Sequence, residues 1–302
     1  MKPRLSIILV VYNMQRAALR AISSLLPDYQ QNIHPDDYEI LVVENGSTEP
    51  LDHQSVTEMG ASIRYFYLDN PPSSPAFAIN FAAQKARGDI LCIMVDGAHM
   101  LTPGVLFRAL EVFSLRDDPL VLAPAFFLGP GPQTETIYSG YNEEEEDRLL
   151  ATINWRKSGY RLFEIGVPYR LDFNGFRPKY FWFIQQFESN CIFVKKSTFE
   201  AIRGCDERFD IPGGGLLIPD LYRRLCDLDS TQIFQLLGEA SFHQVHGGIS
   251  TNVPPDAQME QWERYSEQYV SIRGKEFEVS LQPVEFYGHM PNKFAKKLMV
   301  TG

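Results

Sequence analysis

One stretch of the sequence decides the fold: Asp89-Ile-Leu-Cys-Ile-Met-Val-Asp96. Between its two acids the stretch is entirely apolar, which is typical of a strand covered on both faces in a parallel sheet. The chain then continues as Gly97-Ala98-His99. Because ligands of open α/β sheets bind beyond the carboxyl ends of the strands, Asp96 and His99 are predicted to lie at a binding site.

Short apolar strands alternate with helical patterns around this stretch. A helix is predicted after Asn13, which we interpret as its cap, and another is predicted to begin at Thr102-Pro103. The order β-α-β predicts an α/β fold with a mainly parallel central sheet and helices on both faces. The other predicted strands are residues 5–11, 38–43, 63–68 and 189–195.

An acidic run marks the middle of the chain. Asn142 is predicted to cap a helix that extends to Lys157, and the acids from Glu143 to Asp147 fall in its first turn. Negative charge at a helix N-terminus is favoured by the helix dipole. We therefore interpret the run as a solvated first turn rather than as a metal or substrate site.

The C-terminal part of the chain has a different pattern from the rest. After Pro254-Pro255, residues 258–272 form a charged amphipathic helical pattern. We predict a main domain over residues 1–253 and a C-terminal helical appendage and tail over residues 254–302.

The composition excludes some classes of protein. A formal net charge of -10 over 302 residues argues against a general nucleic-acid binder, which needs clustered Lys and Arg. The four cysteines are scattered without a CxxC pair, which predicts a reducing compartment with no disulfide framework. The apolar run at residues 5–11 is too short to span a membrane, and no cleavage site follows it. A cytoplasmic protein without a transmembrane segment is predicted.

A second carboxylate, Glu44, ends the second strand as Asp96 ends a later one, so both are expected to face one crevice. A dinucleotide-binding domain also places an acid there, but Val11-Tyr12-Asn13-Met14 lacks the glycine-rich turn that it needs. A nucleoside site remains, in which Tyr12 stacks on a base and Glu44 accepts from an imide or a ribose hydroxyl. The alternative is that Tyr12 packs in the core and Glu44 only caps the turn.

Two segments together resemble the opening of the family 2 glycosyltransferases of the GT-A fold: Leu5-Ser-Ile-Ile-Leu-Val-Val-Tyr-Asn13 and Glu39-Ile-Leu-Val-Val-Glu-Asn-Gly-Ser-Thr-Glu49. Asp96 matches the start of the family's DxD motif. Further matches to the family are Asn70, Ala78, Asn80, Ala86, Gly88 and Asp89, and on the acceptor side residues 204–209, 213–215 and 220–224. The likeness covers roughly residues 4–250.

The resemblance implies a GT-A fold and a nucleotide-sugar donor, most often a UDP-sugar, whose sugar is transferred with inversion to an unknown acceptor. It implies a cofactor, Mn²⁺ or Mg²⁺, that offsets the charge of the departing diphosphate. Carried over residue by residue, it places the nucleotide at Val11, Tyr12, Asn13, Glu44, Asn80, Asp96 and Gly97.

The sequence departs from the family at the metal site. The last carboxylate of DxD is replaced by Ala98, and we predict that His99 substitutes for it, because imidazole suits Mn²⁺ better than Mg²⁺. Two more imidazoles come from His243-Gln-Val-His246. On a strand this spacing puts them on opposite faces, so a joint site needs a turn. The resemblance implies that a histidine in this region reaches the metal or the diphosphate, and we favour His246 for this role. The predicted metal ligands are Asp96, His99 and His246.

A second departure concerns the general base. Leu217-Ile218 stand where the family carries an acidic pair. Asp220 and Asp206 are the predicted catalytic carboxylates, with the alternative that Asp220 only pairs with Arg223 or Arg224. Two functions follow: a glycosyltransferase, or a non-catalytic nucleotide-sugar binding protein that has lost the metal ligand and the general base.

Overall fold

The computed structural model describes residues 2–169, 181–186, 189–248, 252, 254 and 256–297. None of the helices in these residues combines the length and the apolar character that crossing a membrane requires. The strands are β1 (Leu5–Val11), β2 (Tyr38–Asn45), β3 (Ile63–Leu68), β4 (Ile90–Met94), β5 (His99–Leu101), β6 (Pro119–Leu122), β7 (Ala125–Leu128), β8 (Gly166–Pro168), β9 (Ile192–Lys195), β10 (Gln232–Leu237), β11 (Ser241–His243) and β12 (Val284–Gly288). The helices are α1 (Gln15–Ser23), α2 (His53–Glu58), α3 (Ala76–Lys85), α4 (Val105–Leu115), α5 (Gln133–Thr136), α6 (Glu143–Ile153), α7 (Leu162–Ile165), α8 (Lys196–Ala201), α9 (Leu217–Cys226), α10 (Gln258–Arg273) and α11 (Lys293–Lys297).

The central sheet has eight strands in the order β12-β10-β6-β9-β4-β1-β2-β3. Its neighbouring strands are parallel except at β9, which runs antiparallel to both β4 and β6. The predicted α/β fold with a mainly parallel sheet is therefore confirmed. β1 and β3 have the predicted bounds, β2 extends beyond its predicted end to Asn45, and β4 ends at Met94.

Helices cover both faces of this sheet, so the core has two layers. Successive residues of a strand point to opposite faces. Accordingly Ile8 packs in one layer with Ile79 of α3, whereas Ile7 packs in the other with Ile22 of α1. Every residue of β1, β2 and β4 is buried, which explains why their sequences are almost continuously apolar.

A second sheet, with the strand order β5-β11-β7-β8, was not predicted. Its short strands pack around an aromatic cluster that includes Phe126, Trp182 and Phe242. β11 runs antiparallel to β5, with His243 opposite His99. This sheet matters for function, because it carries His243 from the far end of the chain to the segment that follows β4.

Two helix ends differ from the predictions. The helix predicted at Thr102-Pro103 begins at Val105, because the Thr102 hydroxyl donates to Glu239 Oε2 at 2.6 Å instead of capping the helix. The helix predicted to extend to Lys157 ends at Ile153, because Asn154 takes a left-handed conformation with φ of 46°.

The segment after residue 253 is part of the main structure in its described residues. β12 pairs in parallel with β10, and Tyr265 and Tyr269 of α10 pack in the core layer beside α3. The sequence analysis expected only helix and tail there, because a single edge strand of five half-exposed residues lacks a clear apolar pattern. The boundary between residues 253 and 254 stays a prediction.

Candidate functional site

Asp96 lies at the edge of the sheet where β4, β1 and β2 end. Gly97 N donates to Val10 O at 2.8 Å, which holds the segment after β4 against β1. A Cβ at Gly97 would lie 2.8 Å from that oxygen and 2.9 Å from Val11 Cγ2, so only glycine allows this approach. Asn190 fixes the other side, because its Oδ1 accepts from Asp96 N at 2.8 Å and its Nδ2 donates to Asp96 O at 3.1 Å.

Three possible metal ligands converge at this position. Asp96 Oδ2 lies 3.2 Å from Nε2 of His243 and 3.2 Å from Nε2 of His246. The two Nε2 atoms are 3.1 Å apart. β11 ends at His243, and the chain turns before His246, which supplies the turn that a joint site needs. We call Asp96, His243 and His246 the histidine cluster.

Opposite charge controls protonation in the histidine cluster. Burial acts to raise the pKa of Asp96, but His246 and His243 outweigh it and hold that pKa well below its usual range. Burial lowers the pKa of His243, whereas at His246 the Asp96 carboxylate outweighs burial and raises the pKa. The cluster therefore contains an ionised carboxylate and, at His243, an imidazole that favours its neutral, metal-binding form.

Gln133 orients His243. The His243 Nδ1 lies 2.6 Å from Gln133 Oε1, and Gln133 Nε2 donates to the backbone oxygen of His243 at 3.1 Å. An amide oxygen can only accept, so Nδ1 carries the hydrogen. The lone pair of neutral His243 is then on Nε2, which faces Asp96 and His246.

The third predicted metal ligand, His99, lies behind this cluster. Its ring centre is 4.8 Å from that of His243, and its Nδ1 is 3.3 Å from Ser241 Oγ. Burial lowers the pKa of His99 well below its usual range. Of the predicted ligands, the structure therefore brings together Asp96 and His246, and it adds His243 where the prediction had His99.

The loop after β1 contains Tyr12 and Asn13. Asn13 has φ of 48° and does not cap α1. Instead its Oδ1 accepts from Thr48 N at 2.9 Å and from Glu49 N at 3.2 Å, and its own N donates to Ser47 Oγ at 2.9 Å. The Tyr12 side chain lies outside the core and is 49% exposed, so its ring is open to a stacking partner.

Glu44 is fully buried at the end of β2. Its Oε1 accepts from Leu51 N at 2.8 Å and its Oε2 accepts from the Ser47 hydroxyl, while burial raises its pKa. This is the arrangement expected if Glu44 holds the turn. β1 lies between the strand of Glu44 and the strand that precedes Asp96. That the two carboxylates face one crevice stays a prediction. Val11 also packs in the core.

Asn80 of α3 contacts the acceptor-side segment rather than the histidine cluster. Its Oδ1 accepts from Cys205 N at 2.9 Å, and its Nδ2 donates to Cys205 O at 2.9 Å and to Glu207 Oε1 at 2.8 Å. These contacts fix the chain just before Asp206. Binding of nucleotide by Asn80 stays a prediction.

Asp220 and Asp206 are bound by arginines. Asp220 accepts from Arg224 Nε at 2.8 Å and from Arg273 Nε at 2.6 Å, and its side chain is 1% exposed. Asp206 accepts from Arg208 Nε at 2.9 Å and lies 2.9 Å from Arg273 Nη1. The hydrogen bonds from Arg208 lower the pKa of Asp206. This set, which we call the arginine cluster, matches the alternative of structural pairing.

The sequence analysis missed Gln133 and Asn190, and it ranked His243 below His246. A single glutamine or asparagine gives no signal of its own in a sequence. The pattern His243-Gln-Val-His246 was visible, but strand periodicity argued against a joint site. The strand had to end at His243 for the two imidazoles to meet.

Part of this chain is similar in sequence to known glycosyltransferases. Residues 6–124 match the sequence model of glycosyl transferase family 2. A protein of Rickettsia felis described as an uncharacterized glycosyltransferase is 32% identical over 92 residues, which are 30% of this chain and 14% of that protein. This chain thus spans about a seventh of the length of that relative.

Solved structures share the fold over most of the chain. S. aureus TarS 1–349 in complex with UDP is 13% identical, with 92% of this chain and 76% of that chain covered at a TM-score of 0.52. The structure of TarS 1–349 in complex with UDP-GlcNAc is 12% identical, with 88% of this chain and 66% of that chain covered at a TM-score of 0.52. The mannosyltransferase PcManGT from Pyrobaculum calidifontis, in complex with GDP-Man and Mn²⁺, is 13% identical, with 93% of this chain and 66% of that chain covered at a TM-score of 0.51. The match over residues 6–124 confirms the resemblance of that segment to glycosyl transferase family 2, and the shared fold confirms that this chain has the predicted GT-A fold.

Proposed function

We propose that this chain is a nucleotide-sugar-dependent glycosyltransferase that uses a UDP-sugar donor and transfers the sugar with inversion. The observation that carries the proposal is the convergence of Asp96, His243 and His246 beyond the end of β4. Open α/β sheets bind ligands at this edge. TarS, which shares the fold, has been solved with UDP and with UDP-GlcNAc, and this supports a nucleotide-sugar as the ligand.

The histidine cluster fits a divalent metal. One carboxylate oxygen and two imidazole nitrogens lie within 4.8 Å of one another. Imidazole ligands favour Mn²⁺ over Mg²⁺, which prefers oxygen. We therefore assign Mn²⁺ to Asp96, His243 and His246. When bound there, the metal supplies positive charge that offsets the diphosphate as it leaves.

The residues of the chain itself bind and orient the nucleotide in this proposal. The exposed ring of Tyr12 stacks on the base, a contact that every base can make. Asn13 and Glu44 hold the loop at residues 47–51, through hydrogen bonds to its backbone and to Ser47. Gly97 lets the segment with Asp96 lie directly against β1.

A second candidate function is a binding protein that takes up a nucleotide-sugar without transferring the sugar. The arginine cluster favours it, because Asp206 and Asp220 are both committed to arginines. A general base needs a free lone pair and a pKa near the working pH. Neither feature is present at Asp206, whose pKa is lowered.

The test is nucleotide release from a panel of UDP- and GDP-sugars, with and without Mn²⁺, using the full chain. We expect slow, Mn²⁺-dependent release of UDP from one donor and no release by the Asp96→Ala variant. Asp89→Ala is the matched control. Asp89 precedes β4, at the opposite end of this strand from Asp96, and its side chain is 79% exposed. It should release UDP at the wild-type rate.

Thermal melting separates the two functions. A nucleotide-sugar at about 100 times its Kd adds about 2.7 kcal/mol to the free energy of unfolding. A rise in melting temperature without turnover of any donor supports the binding protein. If no nucleotide raises the melting temperature, with or without Mn²⁺, the donor site is wrong.

A further inference from the structure

The acidic run at the start of α6 is solvated only in part, because its fourth residue, Glu146, is fully buried. Arg16 Nη1 and Nη2 each lie 3.1 Å from Glu146 Oε1. Asp147, the last residue of the run, pairs with both Arg16 and Arg20. The expected solvated turn was wrong for Glu146, to which α1 presents Arg16 and Arg20.

Glu146 and Arg16 both bind the backbone of Val245. Glu146 Oε2 accepts from Val245 N at 2.8 Å, and Arg16 Nη1 donates to Val245 O at 3.3 Å. The backbone oxygen of Val245 belongs to the peptide unit that joins Val245 to His246. One ion pair, whose carboxylate is buried, therefore holds the residue before a predicted metal ligand at both of its backbone polar groups.

The neighbouring residue is held as well. Gln244 N donates to Ala98 O at 3.0 Å, and Gln244 Nε2 donates to Ala17 O at 2.9 Å. With Gln133 on His243, residues 243–245 are thus all fixed. The contacts that hold Val245 differ from those that hold His243 and Gln244, because they come from two charged side chains, Glu146 and Arg16.

That difference argues for a functional role. Burying the Glu146 carboxylate is costly, and an ion pair formed by a buried group is weak evidence for stability. An uncharged residue could hold the backbone of Val245, as Gln133 holds the backbone oxygen of His243. An ion pair adds a rigid, directional connection between α1, α6 and the turn. Mutation of residues that orient metal ligands typically weakens metal binding 10- to 100-fold.

We propose that Glu146 and Arg16 are positioning residues of the metal site, which hold Val245 so that His246 faces Asp96 and His243. This inference rests on the proposed function, because it takes the histidine cluster to be a metal site. Arg16 lies in the first turn of α1, directly after the loop with Tyr12 and Asn13. The pair therefore ties the proposed nucleotide loop to the proposed metal turn.

The test measures the Kd of Mn²⁺ alone for the full chain, by the loss of the free Mn²⁺ EPR signal. Glu146→Gln keeps the size of the side chain and removes its charge, and we expect its Kd to rise about 10- to 100-fold. Glu145→Gln is the matched control. Glu145 is the preceding residue of α6, its side chain is 46% exposed, and it pairs with Arg148. Its Kd should equal that of the wild type.

Arg16→Lys provides a second variant in case Glu146→Gln does not fold. Lysine keeps the charge, but its single nitrogen cannot reproduce the two contacts with Glu146 and the one with Val245. We expect a raised Kd and an altered EPR spectrum of the bound Mn²⁺, neither of which a loss of stability alone produces in folded protein.

The outcomes separate the two proposals. If the wild type binds Mn²⁺ and Asp96→Ala does not, the metal site stands, and an unchanged Kd in folded Glu146→Gln or Arg16→Lys overturns the positioning role. If the wild type binds no Mn²⁺, the metal site itself fails, and the positioning role fails with it.

Discussion

The histidine cluster and the arginine cluster are both built around carboxylates that sequence motifs indicated, yet their partners differ. Asp96 faces the Nε2 atoms of two imidazoles, whereas Asp220 accepts from two guanidinium groups. An imidazole has a lone pair that binds a metal once it is neutral. A guanidinium has only donors and stays charged. The first cluster can therefore exchange its internal contacts for a metal, and the second cannot.

Exposure differs in the same direction. The Asp96 side chain is 27% exposed and that of Asp220 is 1% exposed. A metal or a diphosphate can reach the first carboxylate from solvent, while the second is enclosed by α9 and α10. A motif thus locates a carboxylate, but the partners decide whether it binds a ligand or holds helices together.

The largest effect that we predict from this difference is on stability. Asp220→Asn leaves Arg224 and Arg273 without their buried partner, and we expect the free energy of unfolding to fall by about 3 to 5 kcal/mol. Urea unfolding measures it. The Kd of Mn²⁺ should not change in the folded variant. Asp227→Asn is the control, because Asp227 also pairs with an arginine four residues away but is 49% exposed. Its loss should be within about 1 kcal/mol. A similar small loss at Asp220 would contradict the structural role.

A carboxylate with neither kind of partner sharpens the comparison. Glu239 is buried and accepts from the Thr102 hydroxyl at 2.6 Å, the Tyr160 hydroxyl at 2.7 Å and Gly104 N at 3.1 Å. Burial raises its pKa to about 7, against 4.5 for the ordinary side chain, because these neutral donors do not outweigh it.

The raised pKa gives a pH dependence of known sign. The folded chain keeps the Glu239 proton up to about pH 7, whereas the unfolded chain releases it near pH 4.5, so stability falls as the pH rises through this range. Relative to Glu239→Gln, the wild type should lose about 3 kcal/mol of unfolding free energy across it. Glu285→Gln, at an exposed position, should track the wild type. A difference between wild type and Glu239→Gln that is constant with pH would contradict the prediction.

The predicted strands correspond to β1, β2, β3, β4 and β9, five of the eight strands of the central sheet, and the best of these predictions have a local reason. β1, β2 and β4 are buried at every residue, so their apolar runs are long enough to recognise without knowledge of the rest of the fold. The second sheet escaped prediction, because its strands have three or four residues and its pairing joins β5 to β11, far apart in the chain. Such strands carry too little periodicity to recognise.

The candidate site was predictable only where a single residue carries its own signal. Asp96 was found because it ends an apolar strand, and His246 because it lies beside glycines in a region where the resembling family carries a histidine. The burial of Glu146 depends on Arg16 and Arg20, which are more than 120 residues away. No local pattern separates it from the solvated acids beside it.

Asp96→Asn in the histidine cluster is the counterpart of Asp220→Asn in the arginine cluster. Asp96→Asn removes the one anionic ligand, and we expect the affinity for Mn²⁺ to fall at least about 100-fold, or about 2.7 kcal/mol. Without metal, its free energy of unfolding should fall by less than that of Asp220→Asn, because the Asp96 side chain is 27% exposed and its backbone contacts with Asn190 remain. This is the reverse of the result expected for Asp220→Asn. A large loss of stability with unchanged Mn²⁺ binding would make Asp96 a structural residue too.

The smallest effect concerns the residue behind the cluster. Gln133→Leu removes the acceptor that keeps the hydrogen on His243 Nδ1, so we expect Mn²⁺ to bind about 10-fold more weakly. Gln133→Glu places a carboxylate there, which makes the imidazole a stronger ligand, and binding should tighten. Gln30→Leu is the control, because Gln30 is a buried glutamine that bonds to Ser24 and Thr102 instead. A purely structural Gln133 would respond to both changes with lost stability and an unchanged Kd. Opposite shifts in Kd require that the hydrogen on Nδ1 determines how well Nε2 binds the metal.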